Sequence, residues 1–108
     1  MANKNTMSES YIEKYFARMC KETKLKSFKM LPTFEAGMPD RIVLYRGVAG
    51  FAEIKAPGKK PRQLQAVFLS ELQKAGSFTG VVDSKDSALN WIQDFINYVD
   101  YKLDGFVL

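Results

Sequence analysis

Apolar positions along the chain follow two periods. From Ser8 to Thr23, Ile12, Tyr15, Phe16, Met19 and Cys20 recur every three or four residues, predicting an amphipathic helix. Thr6 with Glu9, and Ser10 with Glu13, both have capping-box spacing, so the first turn has two candidate starts. Glu9 and Glu13 lie four apart and share a helix face. Lys26–Leu31 alternates and predicts a first strand. Pro32 to Gly37 then forms a loop, and Pro39 stiffens the approach to Asp40. Two apolar runs, Ile42–Tyr45 and Phe51–Ile54, flank R-G-V-A-G and predict a hairpin. Pro61 suits the first turn of a helix running to Ala75, with Leu64, Val67, Phe68 and Leu72 as its stripe and Gly76 as its stop. Phe78–Val82 reads as a short, largely buried strand. Ser84 can cap a last helix from Lys85 to about Val99, with Leu89, Ile92, Phe95, Ile96 and Val99 facing inward. The order helix, three strands, helix, strand, helix predicts one mixed α/β domain, a four-stranded mixed sheet flanked by helices on both faces.

Side chains alternate along a strand, so Glu53 and Lys55 share a face. If Gly47-Val48 is the two-residue turn, Arg46 pairs with Ala49, Ile42 with Glu53 and Asp40 with Lys55. That register gathers two carboxylates and an ammonium at one spot, whereas a one-residue slip would turn Asp40 away.

Composition narrows the chemistry. The 108 residues contain no His and a single Cys, which removes imidazole bases, Ser-His-Asp triads, disulfides and Cys- or His-ligated zinc. Cys20 lies in the helical stripe and reads as a small buried residue. No apolar run approaches bilayer length and M-A-N-K-N-T-M opens no signal peptide, so a cytoplasmic protein without membrane contact is expected. A net charge of +4 favours an anionic partner.

Two close carboxylates repel unless a cation lies between them. Hard oxygen ligands with room for water suit Mg²⁺ or Mn²⁺, and no small-molecule cofactor is called for. A neighbouring Lys can orient water or offset charge on a phosphorane-like transition state, so these parts suit phosphodiester hydrolysis. Glu-x-Lys alone carries little weight. Its position in an apolar strand that should be central carries more, because unpaired charges there are costly.

Taken together, G-M-P-D-R-I-V-L, then F-A-E-I-K-A-P-G-K, then Gln65 on the following helix resemble the VRR-NUC (virus-type replication-repair nuclease) group of the PD-(D/E)XK nucleases. The resemblance spans about residues 8 to 95 and implies a restriction-endonuclease-like core. It implies a Mg²⁺- or Mn²⁺-dependent nuclease acting on structured DNA. By position, Asp40 and Glu53 would be metal ligands with the Ile54 backbone carbonyl, Lys55 the catalytic lysine and Gln65 the supporting glutamine. A first-helix glutamate would complete the site, with Glu13 first by spacing and Glu9 second. Small stand-alone members resemble homodimeric Holliday-junction resolvases of bacterial or phage-infected cells. A two-fold junction also calls for a two-fold protein.

The basic loop after Lys55 places Lys59, Lys60 and Arg62 where they could grip phosphates, with Lys29 extending the track. The apolar closing residues, with Trp91, Tyr98 and Tyr101, form either a subunit contact or an ordinary core edge. A flap or non-specific nuclease, and a non-catalytic DNA-binding domain, are the alternatives. No sequence-reading element stands out.

Overall fold

The computed structural model describes residues 7–31 and 37–105. Its elements are α1 (Glu9–Glu22), β1 (Lys26–Lys29), β2 (Arg41–Tyr45), β3 (Val48–Ile54), α2 (Gln63–Lys74), β4 (Phe78–Val82) and α3 (Lys85–Asp104). The sheet runs β1-β2-β3-β4. Its first three strands are antiparallel, and β4 joins β3 in parallel. The expected mixed sheet with helices on both faces is the one observed.

The cap of α1 is Ser8, whose Oγ accepts from the Tyr11 N–H at 3.0 Å, and neither expected pair supplies it. Thr6 lies outside the described residues. Ile12, Phe16 and Cys20 form the buried stripe of α1. Burial pushes the Cys20 thiol up to about 12, against the pull of Arg41, so it is inert as a nucleophile at neutral pH.

The hairpin turns one residue earlier than expected. Arg46 and Gly47 form the turn with φ of 51° and 80°, two left-handed residues as a type I′ turn requires. Tyr45 therefore faces Val48, and Ile42 faces Phe51 rather than Glu53. The whole ladder moves by two positions, which preserves the faces. Continued past Arg41, it brings Asp40 opposite Glu53 instead of Lys55. Arg46 accepts its unusual backbone because its guanidinium is held by Asp100 at 2.9 Å and Asp104 at 2.8 and 2.9 Å, both on α3.

One face of the sheet carries α1 and α3 over the main core. A Cβ on Gly50 would come within 2.7 Å of Phe95, and one on Gly80 within 2.7 Å of Trp91, so these two glycines let α3 lie close on β3 and β4. Phe16, Phe78, Trp91 and Phe95 pack there with ring centroids 5.1–5.4 Å apart. Trp91, only 4% exposed, is a core residue and not a subunit contact, and Tyr98 is half-buried with its hydroxyl donating to the Gly76 carbonyl at 2.6 Å. The buried face of α3 is Ala88, Trp91, Ile92, Phe95 and Val99, while Leu89 points outward. The helix continues to Asp104, so Tyr101–Asp104 are helical and not a tail; residues 106–108 lie outside the described residues.

Helix α2 covers the opposite face and packs mainly on β4, where Gln73 donates to Thr79 Oγ1 at 2.7 Å. Leu69 is its buried residue, and Leu64 and Val67 are exposed instead of forming the expected stripe. Because β4 is an edge strand, only Val82 in it is fully buried. Arg62 is the N-cap of α2, so Pro61 precedes the helix rather than opening its first turn.

Candidate active site

The α2 face of β3 alternates Phe51, Glu53 and Lys55, out of phase with Gly50, Ala52 and Ile54 on the core side. Glu53 is 0% exposed, and neither of its carboxylate oxygens has a hydrogen-bond partner among the described residues. Lys55 Nζ lies 3.3 Å from Glu53 Oε2, close enough for attraction but misaligned for a hydrogen bond. Burial first, then repulsion from Asp40, push the Glu53 carboxyl up to about 7, with Lys55 pulling the other way.

Asp40 sits where β2 begins. Its Oδ2 accepts from the Ile54 N–H at 2.7 Å, so a side chain continues the strand pairing that the backbone has ended. The following peptide N–H, from Lys55, donates to the Val82 carbonyl on the β4 side at 2.9 Å. In a trans peptide the carbonyl opposes the N–H, so the Ile54 carbonyl points back to the Asp40 side. Asp40, Glu53 and that carbonyl thus converge on one edge of β3.

A cleft of about 470 Å³ opens over this edge, and its walls include Glu9, Lys29, Asp40, Lys55, Arg62 and Gln65. Gln65 Oε1 accepts from the Arg62 N–H at 2.9 Å, which caps α2 and fixes the side chain at the cleft wall. Lys59 and Lys60 are exposed on the loop beyond Lys55, outside the cleft lining.

Of the two first-helix glutamates, Glu9 lines the cleft and Glu13 does not. Glu13 accepts from Arg41 Nε at 3.1 Å and lies 3.7 Å from Lys29 Nζ. Spacing favours Glu13, but Arg41 holds its carboxylate away from the cleft lining. Following Asp40 on β2, Arg41 points to the opposite face, meets α1 there, and also donates to Ser27 Oγ at 3.1 Å. Arg41 was the missed partner, and strand alternation next to Asp40 is the signal that could have found it.

The donor set suits a hard divalent cation. Glu53 offers buried oxygens without a hydrogen-bond donor and with Lys55 as the ion-pair partner of one, Asp40 keeps one oxygen outside its bond to Ile54, and a main-chain carbonyl faces the same edge. Among the described residues no cluster of three acidic or thiol side chains could hold an ion alone. Water and substrate oxygens would therefore complete the shell, as Mg²⁺ prefers.

A mixed sheet entered by a helix, with an aspartate at the start of one hairpin strand and Glu-x-Lys ending the other, defines a nuclease-type α/β domain. No family model matches the chain, and no curated protein does. A solved structure described as a VRR_NUC domain does match, with a TM-score of 0.71 over 79% of this chain and 94% of its own, at 28% sequence identity. In fold, and at 28% identity in sequence, the chain is thus similar to a VRR_NUC domain, which supports a nuclease-type reading of the site.

Proposed function

We infer that the chain is a divalent-metal-dependent, structure-selective DNA endonuclease that acts as a homodimer on four-way junctions. The observation that carries this reading is Glu53, a buried carboxylate with two unpartnered oxygens beside Asp40 and Lys55. Such a group has little structural use, because burying it without hydrogen bonds costs on the order of 1–3 kcal/mol or more.

Asp40, Glu53 and the Ile54 carbonyl would hold Mg²⁺ or Mn²⁺, with Glu9 in place of Glu13 as the first-helix carboxylate reaching the cleft. Bound there, the ion supplies Lewis-acid polarisation of the scissile phosphoryl group and a more acidic water. Lys55, leaning on Glu53, holds its ammonium at the cleft where negative charge grows on the phosphorus oxygens, and offsets it. Gln65, fixed by its bond to Arg62, keeps its amide N–H₂ to orient water or a phosphate oxygen. Arg62 and Lys29 line the approach, and Lys59 and Lys60 extend it, as phosphate contacts that set DNA register.

The test incubates labelled four-way junction, flap and plain duplex with the protein in Mg²⁺ or EDTA. Paired, symmetric, ligatable cuts on the junction, abolished by EDTA and by Lys55→Ala, are expected. Cutting confined to flaps, or unselective nicking, would replace junction resolution with the broader nuclease reading. DNA binding without metal-dependent cleavage would leave a non-catalytic binding domain.

A further inference from the structure

The mouth of the cleft is apolar in a way that phosphate chemistry does not require. Leu31, two residues past β1, is 56% exposed, and Leu64, in the first turn of α2, is 54% exposed. Both line the cleft with Asp40 and Lys55, and Met30 and Met38 continue the apolar wall. Leu64 is held from behind. A Cβ on Gly37 would lie 2.9 Å from the Leu64 carbonyl oxygen and 3.2 Å from its Cγ, and Gly37 has φ +87°. Only glycine allows the segment leading to Asp40 to seat against Leu64 so closely.

Lys29 and Arg62 on the same walls would serve the phosphate and deoxyribose edges. Exposed leucines gain nothing from those groups; they gain from the flat face of a base, as apolar side chains do when they enter a base step. In regular duplex each base face is covered by its neighbours. The face becomes free at a branch point, where unstacking is already partly done. We propose that Leu31 and Leu64 form an apolar wedge that rests on the faces of unstacked bases beside the scissile phosphate and so selects branched DNA over plain duplex. The proposal takes the position of the scissile phosphate from the nuclease reading above, but the wedge contact itself needs no metal.

The experiment places 2-aminopurine at the branch point of a four-way junction and reads its fluorescence on adding protein in EDTA. Wild type is expected to raise the signal several-fold, and a Leu31→Ala, Leu64→Ala double variant to lose the rise. Leu89→Ala, on the exposed side of α3, is expected to keep it. In Mg²⁺ the ratio of junction to duplex cleavage is expected to fall about ten-fold or more in the double variant, the lower end of what lost apolar contacts give. Both leucines are exposed, so melting is expected to move by no more than about 4 °C. A wild-type protein that leaves 2-aminopurine unchanged, or a double variant that keeps both fluorescence and ratio, overturns the wedge. If fluorescence rises but Mg²⁺ and Mn²⁺ give no cleavage, the wedge stands and the nuclease reading fails. If junctions are cut without a rise, the nuclease reading stands and the wedge fails.

Discussion

Glu53 ties the stability of the domain to pH in an unusual direction. Its folded pKa of about 7 lies above the ordinary 4.5, so the fold disfavours its charged form. The resulting cost is absent below about pH 4.5, grows as pH rises, and is complete above about 7. In EDTA, urea midpoints are therefore expected to fall between pH 5 and pH 8, by on the order of 2–3 kcal/mol of unfolding free energy. Glu53→Gln is expected to flatten that dependence, and Mg²⁺ at pH 8 to restore stability to the wild type but not to the variant. Affinity for the ion should rise through the same interval, since only the deprotonated carboxylate binds it. Lys55→Ala is expected to cut single-turnover cleavage by roughly 10³-fold while gel-shift binding of the junction persists, the range for losing a charge-stabilising group in the transition state.

Among the elements, the two glycines under α3 are the most sensitive positions. Gly80→Ala would press a methyl against the Trp91 ring, and the melting temperature is expected to fall by an amount equivalent to about 1–3 kcal/mol, with a changed Trp91 emission spectrum as a second reading. Element identity and order were legible in the pattern of apolar positions, and Phe78–Val82 agrees at both ends. What the pattern could not carry depended on contacts between distant residues. The turn sits at Arg46-Gly47 because Asp100 and Asp104, more than fifty positions away, hold Arg46 in a left-handed conformation that a local reading disfavours. Trp91 is buried because Gly50 and Gly80, on two other elements, leave room for it. Glu13 is turned from the cleft by Arg41, and Leu64 is left exposed because α2 lies over β4 and not over the middle of the sheet. Asp40 and Glu53 still came together, since an even shift of register leaves faces unchanged.

For the molecule as a whole, the excess of four positive charges is accompanied by cations at the cleft and its basic loop: Lys29, Lys55, Lys59, Lys60 and Arg62. Junction affinity is expected to fall steeply with salt, and replacing Lys59 or Arg62 by Ala to lessen the log–log slope by about one. Light scattering is expected to give twice the 12.3 kDa chain mass if two active sites act across one junction. With Trp91 buried, such a dimer would need its contact elsewhere, and Tyr101 and Leu103 on the outer side of α3, or Phe28 and Leu44 on the sheet, offer exposed apolar area.

The bond from the Ile54 amide to Asp40 has a practical corollary for anyone preparing an inactive protein. An alanine at that position would remove the proposed cation ligand and also strand a main-chain donor, so loss of cleavage would be ambiguous between lost chemistry and a loosened hairpin end. Asparagine retains an oxygen for the amide while withdrawing the charge. Comparing the two replacements by hydrogen exchange at Ile54 would separate architecture from catalysis at a single side chain.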